Sequence, residues 1–153
     1  MIERTVEKYI ALAEEVATNA HRNQVDRAGV PYINHPRTVA SNCSTPEAKI
    51  IAWLHDTIED TVLTREDLIA YGFPAYVIDA VCLLTKSEED NRDYYGYIRR
   101  IKENPLACEV KIADLHHNAD LSRIPNPTSV DYKRVEKYQH ALRILLPEES
   151  ETK

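Results

Sequence analysis

Residues 51–61 read IAWLHDTIEDT, and this stretch decides how the rest of the chain is read. Ile51, Ala52, Trp53 and Leu54 form an unbroken apolar run. His55, Asp56, Glu59 and Asp60 follow within six positions. On a helix, His55 and Glu59 stand four apart, as do Asp56 and Asp60, while Asp56 and Glu59 stand three apart. All four can therefore face one small volume at the end of a core helix. Negative charge gathered there is costly unless a cation offsets it, and a divalent metal removes the cost. His55 and Asp56 would supply one nitrogen and one oxygen ligand. Two more come from elsewhere: His35 in YINHP, just before a helix start, and Asp114 in KIADLHHN, which interrupts an apolar face made by Val110, Ile112, Ala113 and Leu115. Two imidazoles and two carboxylates with open water positions suit Mn²⁺ or Fe²⁺, and tolerate others such as Zn²⁺.

Working outward, apolar residues recur at helical spacing, and no alternating strand pattern is bounded by turn signals. Val6, Ile10, Ala13, Val16, Ala17 and Ala20 mark a helix within residues 3–21. DRAGVPYINHP, with Gly29, Pro31 and Pro36, reads as a loop, and a helix restarts at Pro36. A third helix is expected over 46–59. A fourth follows Thr64, where TRED resembles a capping box, and stops at Gly72. Pro74 opens a fifth, residues 90–103 form a sixth, and Pro105 opens a seventh. After the RIPNPTS loop a last helix runs over 129–146. The expectation is an all-α bundle of about seven to eight helices. It makes one domain over residues 1–146, with a polar tail at 147–153.

The 153 residues are 43% hydrophobic and 29% charged, with a formal net charge of −6. That length supports one real core. The acidic balance argues against a general nucleic-acid binder, though a local pocket can still take a small anion. Cys43, Cys82 and Cys108 are odd in number and irregular in spacing, so they read as buried free thiols of a reducing compartment. MIERTVEKYIALAEE is too acidic for a signal or transit peptide, and no apolar run reaches the ~18 residues of a membrane span. The expected location is the cytoplasm, with no membrane and no nucleic acid as partner. Composition does not speak to oligomeric state.

The order His35, then His55-Asp56, then Asp114 is the signature of the HD phosphohydrolase superfamily, and the chain resembles it. The blocks AHRNQVDRAGVPYINHP, WLHDTIEDT and VKIADLHHNADLSR resemble three blocks of the hydrolase domain of RelA/SpoT-type alarmone enzymes. They are especially similar to the stand-alone small hydrolases of the metazoan SpoT homologue kind, from about residue 5 to residue 145. That resemblance implies an HD-domain helical bundle and a Mn²⁺-dependent enzyme of the stringent response. It would remove pyrophosphate from the 3′ position of guanosine tetra- and pentaphosphate, a small phosphorylated nucleotide. It implies His35, His55, Asp56 and Asp114 as metal ligands. Glu59 and Asp60 match the catalytic pair that orients and deprotonates a metal-activated water. Asn118 matches a nucleotide-contacting asparagine, and Arg27, Tyr32, Thr85 and Lys86 fall in pocket-lining segments. His116 and His117 are read as non-ligands. No kinase activity is expected of these residues.

Three positions depart from the family. It has Arg-Lys where this chain has Asp26-Arg27, a basic residue where this chain has Leu115, and another where it has Asp120. A substrate with two pyrophosphate groups would feel that loss. Arg27, Lys86, Arg92 and Arg123 are the candidates to compensate. Two rivals follow: an HD hydrolase of a different phosphorylated metabolite, and a nucleotide-binding sensor without turnover.

Overall fold

Apolar helical stripes with proline and glycine between them give an all-α molecule. The computed structural model describes residues 5–147. Among those residues the helices are α1 (Val6–Ala20), α2 (Asn34–Ser41), α3 (Pro46–Leu54), α4 (Thr57–Asp60) and α5 (Arg65–Tyr71). Then come α6 (Ala75–Leu84), α7 (Glu88–Arg92), α8 (Tyr94–Lys102), α9 (Pro105–Asn118) and α10 (Ser129–Leu145), with a 3-10 turn at Leu121–Arg123. An isolated antiparallel bridge from Val25 to Pro31 closes the loop after α1. The expected tail at 147–153 lies outside the described residues except for Pro147.

Helix α3 is the hub. It packs on α1, α2, α6 and α9. Ala48, Ile50, Ile51, Ala52 and Leu54 are all fully buried. Removing a side chain such as Ile51 or Leu54 from water contributes roughly 1.5–3 kcal/mol each. Trp53 is core, as its apolar neighbours suggest. Of the three thiols, all free, Cys43 is buried, while Cys82 and Cys108 are only half-buried.

Local chemistry sets the helix ends. Thr64 accepts from the Asp67 N–H while Asp67 accepts from the Thr64 N–H, the capping box read from TRED. Gly72 ends α5 at φ 90°, a left-handed position that favours glycine. α2 begins at Asn34 rather than Pro36. A proline in the first turn lacks only an N–H that has no helical partner there.

Two helices that apolar spacing joins are divided in the structure. The sixth helix, expected over 90–103, is divided between α7 and α8 at Asp93, whose side chain accepts from the Gly96 N–H and caps α8. A Cβ at Gly96 would collide with that carboxylate, so glycine leaves room for the cap. Residues 46–60 split at His55 and Asp56, with φ −103° and ψ 0° at Asp56. This second break builds the site.

Candidate metal centre

At the break, side chains take carbonyls that a continuous helix would offer to backbone N–H groups. His55 Nδ1 lies 2.6 Å from the Ala52 carbonyl, and Thr57 Oγ1 donates to the Leu54 carbonyl at 2.8 Å. Consecutive residues on a regular helix point 100° apart. With the bend, His55 Nε2 stands 3.2 Å from Asp56 Oδ2, so neighbours in sequence serve one volume. The Nδ1 contact keeps Nδ1 protonated and turns Nε2 toward the cluster, where it can ligate a cation once its own proton has left.

His35, in the first turn of α2, and Asp114, on α9, complete the set. His35 Nε2 is 2.7 Å from Asp114 Oδ1 and 3.7 Å from Asp56 Oδ2, and His55 Nε2 is 3.3 Å from Asp114 Oδ1. One donor atom from each of the four residues lies within 4.8 Å of the others. His35, His55 and Asp114 are buried, and Asp56 reaches the cleft.

The surrounding groups hold these four in place. Tyr32 O–H donates to Asp56 Oδ2 at 2.5 Å, and Asn118 Nδ2 donates to Asp114 Oδ1 at 3.1 Å. Lys111 Nζ pairs with Asp114 Oδ2 at 2.9 Å. His117 stacks on His35 with ring centroids 4.9 Å apart, and their Nδ1 atoms are 2.7 Å apart. Burial, then the charges of His35 and Arg123, push His117 down to about 4. A neutral His117 can accept from His35 Nδ1–H, which orients His35 Nε2 into the cluster.

Charge in the site is compensated by protons and by Lys111. Burial opposes ionisation of Asp56, yet His55 beside it, by charge and hydrogen bond, holds the carboxyl below the ordinary range. Burial opposes it for Asp114 too, and Lys111, His35 and His55 outweigh that. Burial disfavours the charged form of His55, but Asp56 and Asp114 raise it well above its usual value. A proton thus occupies the volume where a divalent cation fits, and the donor set matches one.

The other expected site residues divide by location. Glu59 and Asp60 line an inner chamber of about 160 Å³ beside the centre, together with Lys86 and Lys111. Glu59 Oε1 also accepts from the Lys86 backbone N–H at 2.8 Å, pinning the loop after α6. Burial, then Asp56 and Glu59, raise Asp60 to about 6. Its carbonyl accepts from Gln24 Nε2, and Gln24 meets the buried His21, so α4 is tied to the end of α1. Arg27 lines a separate outer chamber of about 310 Å³. Tyr32 and Asn118 line both chambers while also contacting ligand carboxylates.

The departing positions take structural places. Leu115 is fully buried in the core, and Asp120 accepts from the Ser122 N–H and hydroxyl at the 3-10 turn. Asp26 faces Arg123 at 3.4 Å. Arg92 is exposed beside Glu88, away from the centre's chambers. Lys111 is the member that sequence reasoning passed over. Its spacing, one turn before Asp114 on α9, was the available signal.

No protein-family model matches the chain. It is similar over 145 residues (31% identity, 88% of this chain) to a probable GTP pyrophosphokinase of Mycobacterium leprae. It is 34% identical over 115 residues, 67% of this chain, to a guanosine-3′,5′-bis(diphosphate) 3′-pyrophosphohydrolase of Haemophilus influenzae. It is 31% identical over 125 residues, 72% of this chain, to the bifunctional (p)ppGpp synthase/hydrolase SpoT of Escherichia coli. The chain spans only 17 to 18% of the length of these relatives. A solved structure described as a metazoan ortholog of SpoT that hydrolyzes ppGpp shares the fold. Its TM-score is 0.70 at 20% identity, covering 95% of this chain and 86% of that one. The resemblance to HD-domain hydrolases of the SpoT/RelA type read from the three sequence blocks is thereby supported. Among the described residues no helix is long and apolar enough to cross a membrane.

Proposed function

We propose that this chain is a metal-dependent phosphohydrolase acting on a phosphoester or pyrophosphate ester of a nucleotide-like molecule. One observation carries the reading: two imidazoles and two carboxylates from α2, the α3–α4 break and α9 converge within 4.8 Å, next to a chamber with two further carboxylates and two lysines. A purely structural cluster has no need of that chamber. The relatives named as ppGpp pyrophosphohydrolases support the same reaction class.

In this reading His35, His55, Asp56 and Asp114 hold one divalent cation, Mn²⁺ by preference. When bound, that cation lowers the pKa of a water and offsets phosphate charge. The chain does the rest. Asp60, on the wall of the same chamber, is the carboxylate placed to take that water's proton. Glu59 holds the Lys86 loop at the chamber edge through the Lys86 N–H. Lys86 and Lys111 receive the phosphate oxygens. Tyr32, pushed up by burial and by Asp56, stays protonated and keeps Asp56 aimed at the centre. Asn118 does the same for Asp114.

The guanosine tetraphosphate assignment is tested by incubating that nucleotide with Mn²⁺-loaded protein and resolving pyrophosphate from phosphate, with Asp56→Ala as control. Pyrophosphate release that is lost in the variant supports it. No release from folded, metal-loaded protein removes that substrate, and turnover of other phosphoesters then decides the class.

A further inference from the structure

The residues AHRNQ, 20–24, open the first of the three sequence blocks, yet no step of the hydrolysis above touches His21 or Gln24. Asn23 between them stands at φ 71°, a left-handed turn that brings the Gln24 N–H back to the His21 carbonyl at 3.0 Å. His21 Nδ1 then lies 2.9 Å from Gln24 Oε1. At the other end of the amide, Gln24 Nε2 donates to the Asp60 carbonyl at 3.0 Å. A carbonyl only accepts, so the amide nitrogen faces Asp60 and the amide oxygen faces His21. His21 Nδ1 must therefore carry the hydrogen. Burial outweighs the raising effects of Gln24 and Asp56 and lowers His21, so the ring is neutral and its Nε2 is a bare acceptor. That Nε2 is buried without a partner among the described residues, in a residue only 2% exposed. An orphaned acceptor is a cost that phenylalanine would avoid, so the imidazole is kept for its Nδ1–H.

Gln24 joins three segments of the site. Its backbone carbonyl accepts from the Tyr32 N–H at 2.8 Å, and the Tyr32 O–H in turn holds Asp56 Oδ2. The His21 ring lies 4.9 Å from the Tyr32 ring. The Gln24 side chain holds the end of α4, which has little else to hold it. α4 is four residues long, Thr57 alone among them is buried, and Val62 just beyond is 94% exposed. A single helical turn is marginal without outside support.

We propose that His21 and Gln24 are positioning residues for the hydrolysis, fixing where Asp60 stands relative to Asp56. His21 locks the Gln24 amide in one orientation, and the locked amide pins the last turn of α4. Both act through Asp60 and Tyr32. This rests on the hydrolase reading above and deepens it by naming what aims its proton acceptor.

Three variants test the relay. Asparagine carries its amide nitrogen where histidine has Nδ1, so His21→Asn keeps the donor and loses the ring. His21→Phe keeps a ring against Tyr32 and loses the donor. Gln24→Glu keeps Oε1 for His21 and sets an oxygen against the Asp60 carbonyl. Turnover is followed with Mn²⁺-loaded protein and guanosine tetraphosphate, or the phosphoester that the wild type does hydrolyse. His21→Phe and Gln24→Glu should lower kcat at least about tenfold, with KM and calorimetric Mn²⁺ affinity unchanged. His21→Asn should keep most of the turnover while being the less stable of the two His21 variants in urea. A packing role alone predicts the opposite order in turnover. In metal-free protein, amide hydrogen exchange at Asp60 and Thr61 should quicken in His21→Phe and Gln24→Glu but not in His21→Asn. Wild-type turnover in His21→Phe overturns the inference, as does His21→Asn impaired as far as His21→Phe, or a loss seen in Mn²⁺ affinity rather than in kcat. If the wild type hydrolyses no phosphoester, the hydrolase reading fails separately and hydrogen exchange alone decides. Equal exchange in the two His21 variants then overturns the relay.

Discussion

At the scale of single residues, the same carboxylate chemistry serves different ends according to surroundings. Asp56 is held ionised by His55 and Tyr32, whereas Asp60 is raised to about 6 by burial and by Asp56 and Glu59. Between the ordinary value of 3.8 and about 6, folded metal-free protein keeps a proton on Asp60 that the unfolded chain has released. Stability therefore falls as pH rises through that window, and the penalty is fully present above it. Asp60→Asn should make the metal-free protein more resistant to urea than wild type near pH 7 and equal to it near pH 4, while abolishing hydrolysis. A lower midpoint near pH 7 would contradict the assigned environment. Asp56→Ala should lose bound metal, read by elemental analysis, and lower turnover at least about 10²-fold. The four candidate ligands were legible because imidazoles and carboxylates interrupting apolar helix faces need a physical reason. Lys111 and the partnering of His117 with His35 were not, because a lysine or histidine on a helix is ordinarily solvated and only tertiary packing turned these two inward.

At the scale of elements, the break between α3 and α4 does more than any helix. Periodicity correctly placed helical residues on both sides but joined them, because spacing carries no sign of side chains capturing backbone carbonyls. The signal lay in His55 and Thr57, two residues able to bond the preceding turn. The split at Asp93 was hidden for a similar reason: the cap is an aspartate inside a run that otherwise reads as continuous helix. Thr57→Val conserves shape but removes the hydroxyl that meets the Leu54 carbonyl. It should cost about 1–3 kcal/mol in chemical denaturation and weaken metal binding, because the bend that joins His55 to Asp56 loses its tie. Unchanged stability together with unchanged metal affinity would show that the bend is fixed by something else.

At the scale of the whole molecule, the all-α class was legible throughout, from proline and glycine punctuation and apolar stripes. What the sequence could not show was that α2, the α3–α4 break and α9 meet at one point, since their ligands are separated by 20 to 79 positions and only packing on α3 brings them together. A cation bridging three segments binds the folded state alone. At a hundredfold excess over its Kd, it adds about 2.7 kcal/mol and raises Tm by roughly 5–10 °C. Thermal scans with Mn²⁺ and with chelator should differ by that much in wild type and coincide in Asp56→Ala.

The most direct test of the account is a calorimetric titration of Mn²⁺ into chelator-stripped, folded protein. The account predicts one equivalent bound, with binding lost in Asp56→Ala and in His35→Ala. Folded wild-type protein that takes up no Mn²⁺, Fe²⁺ or Zn²⁺, or that binds them equally well in both variants, would contradict it.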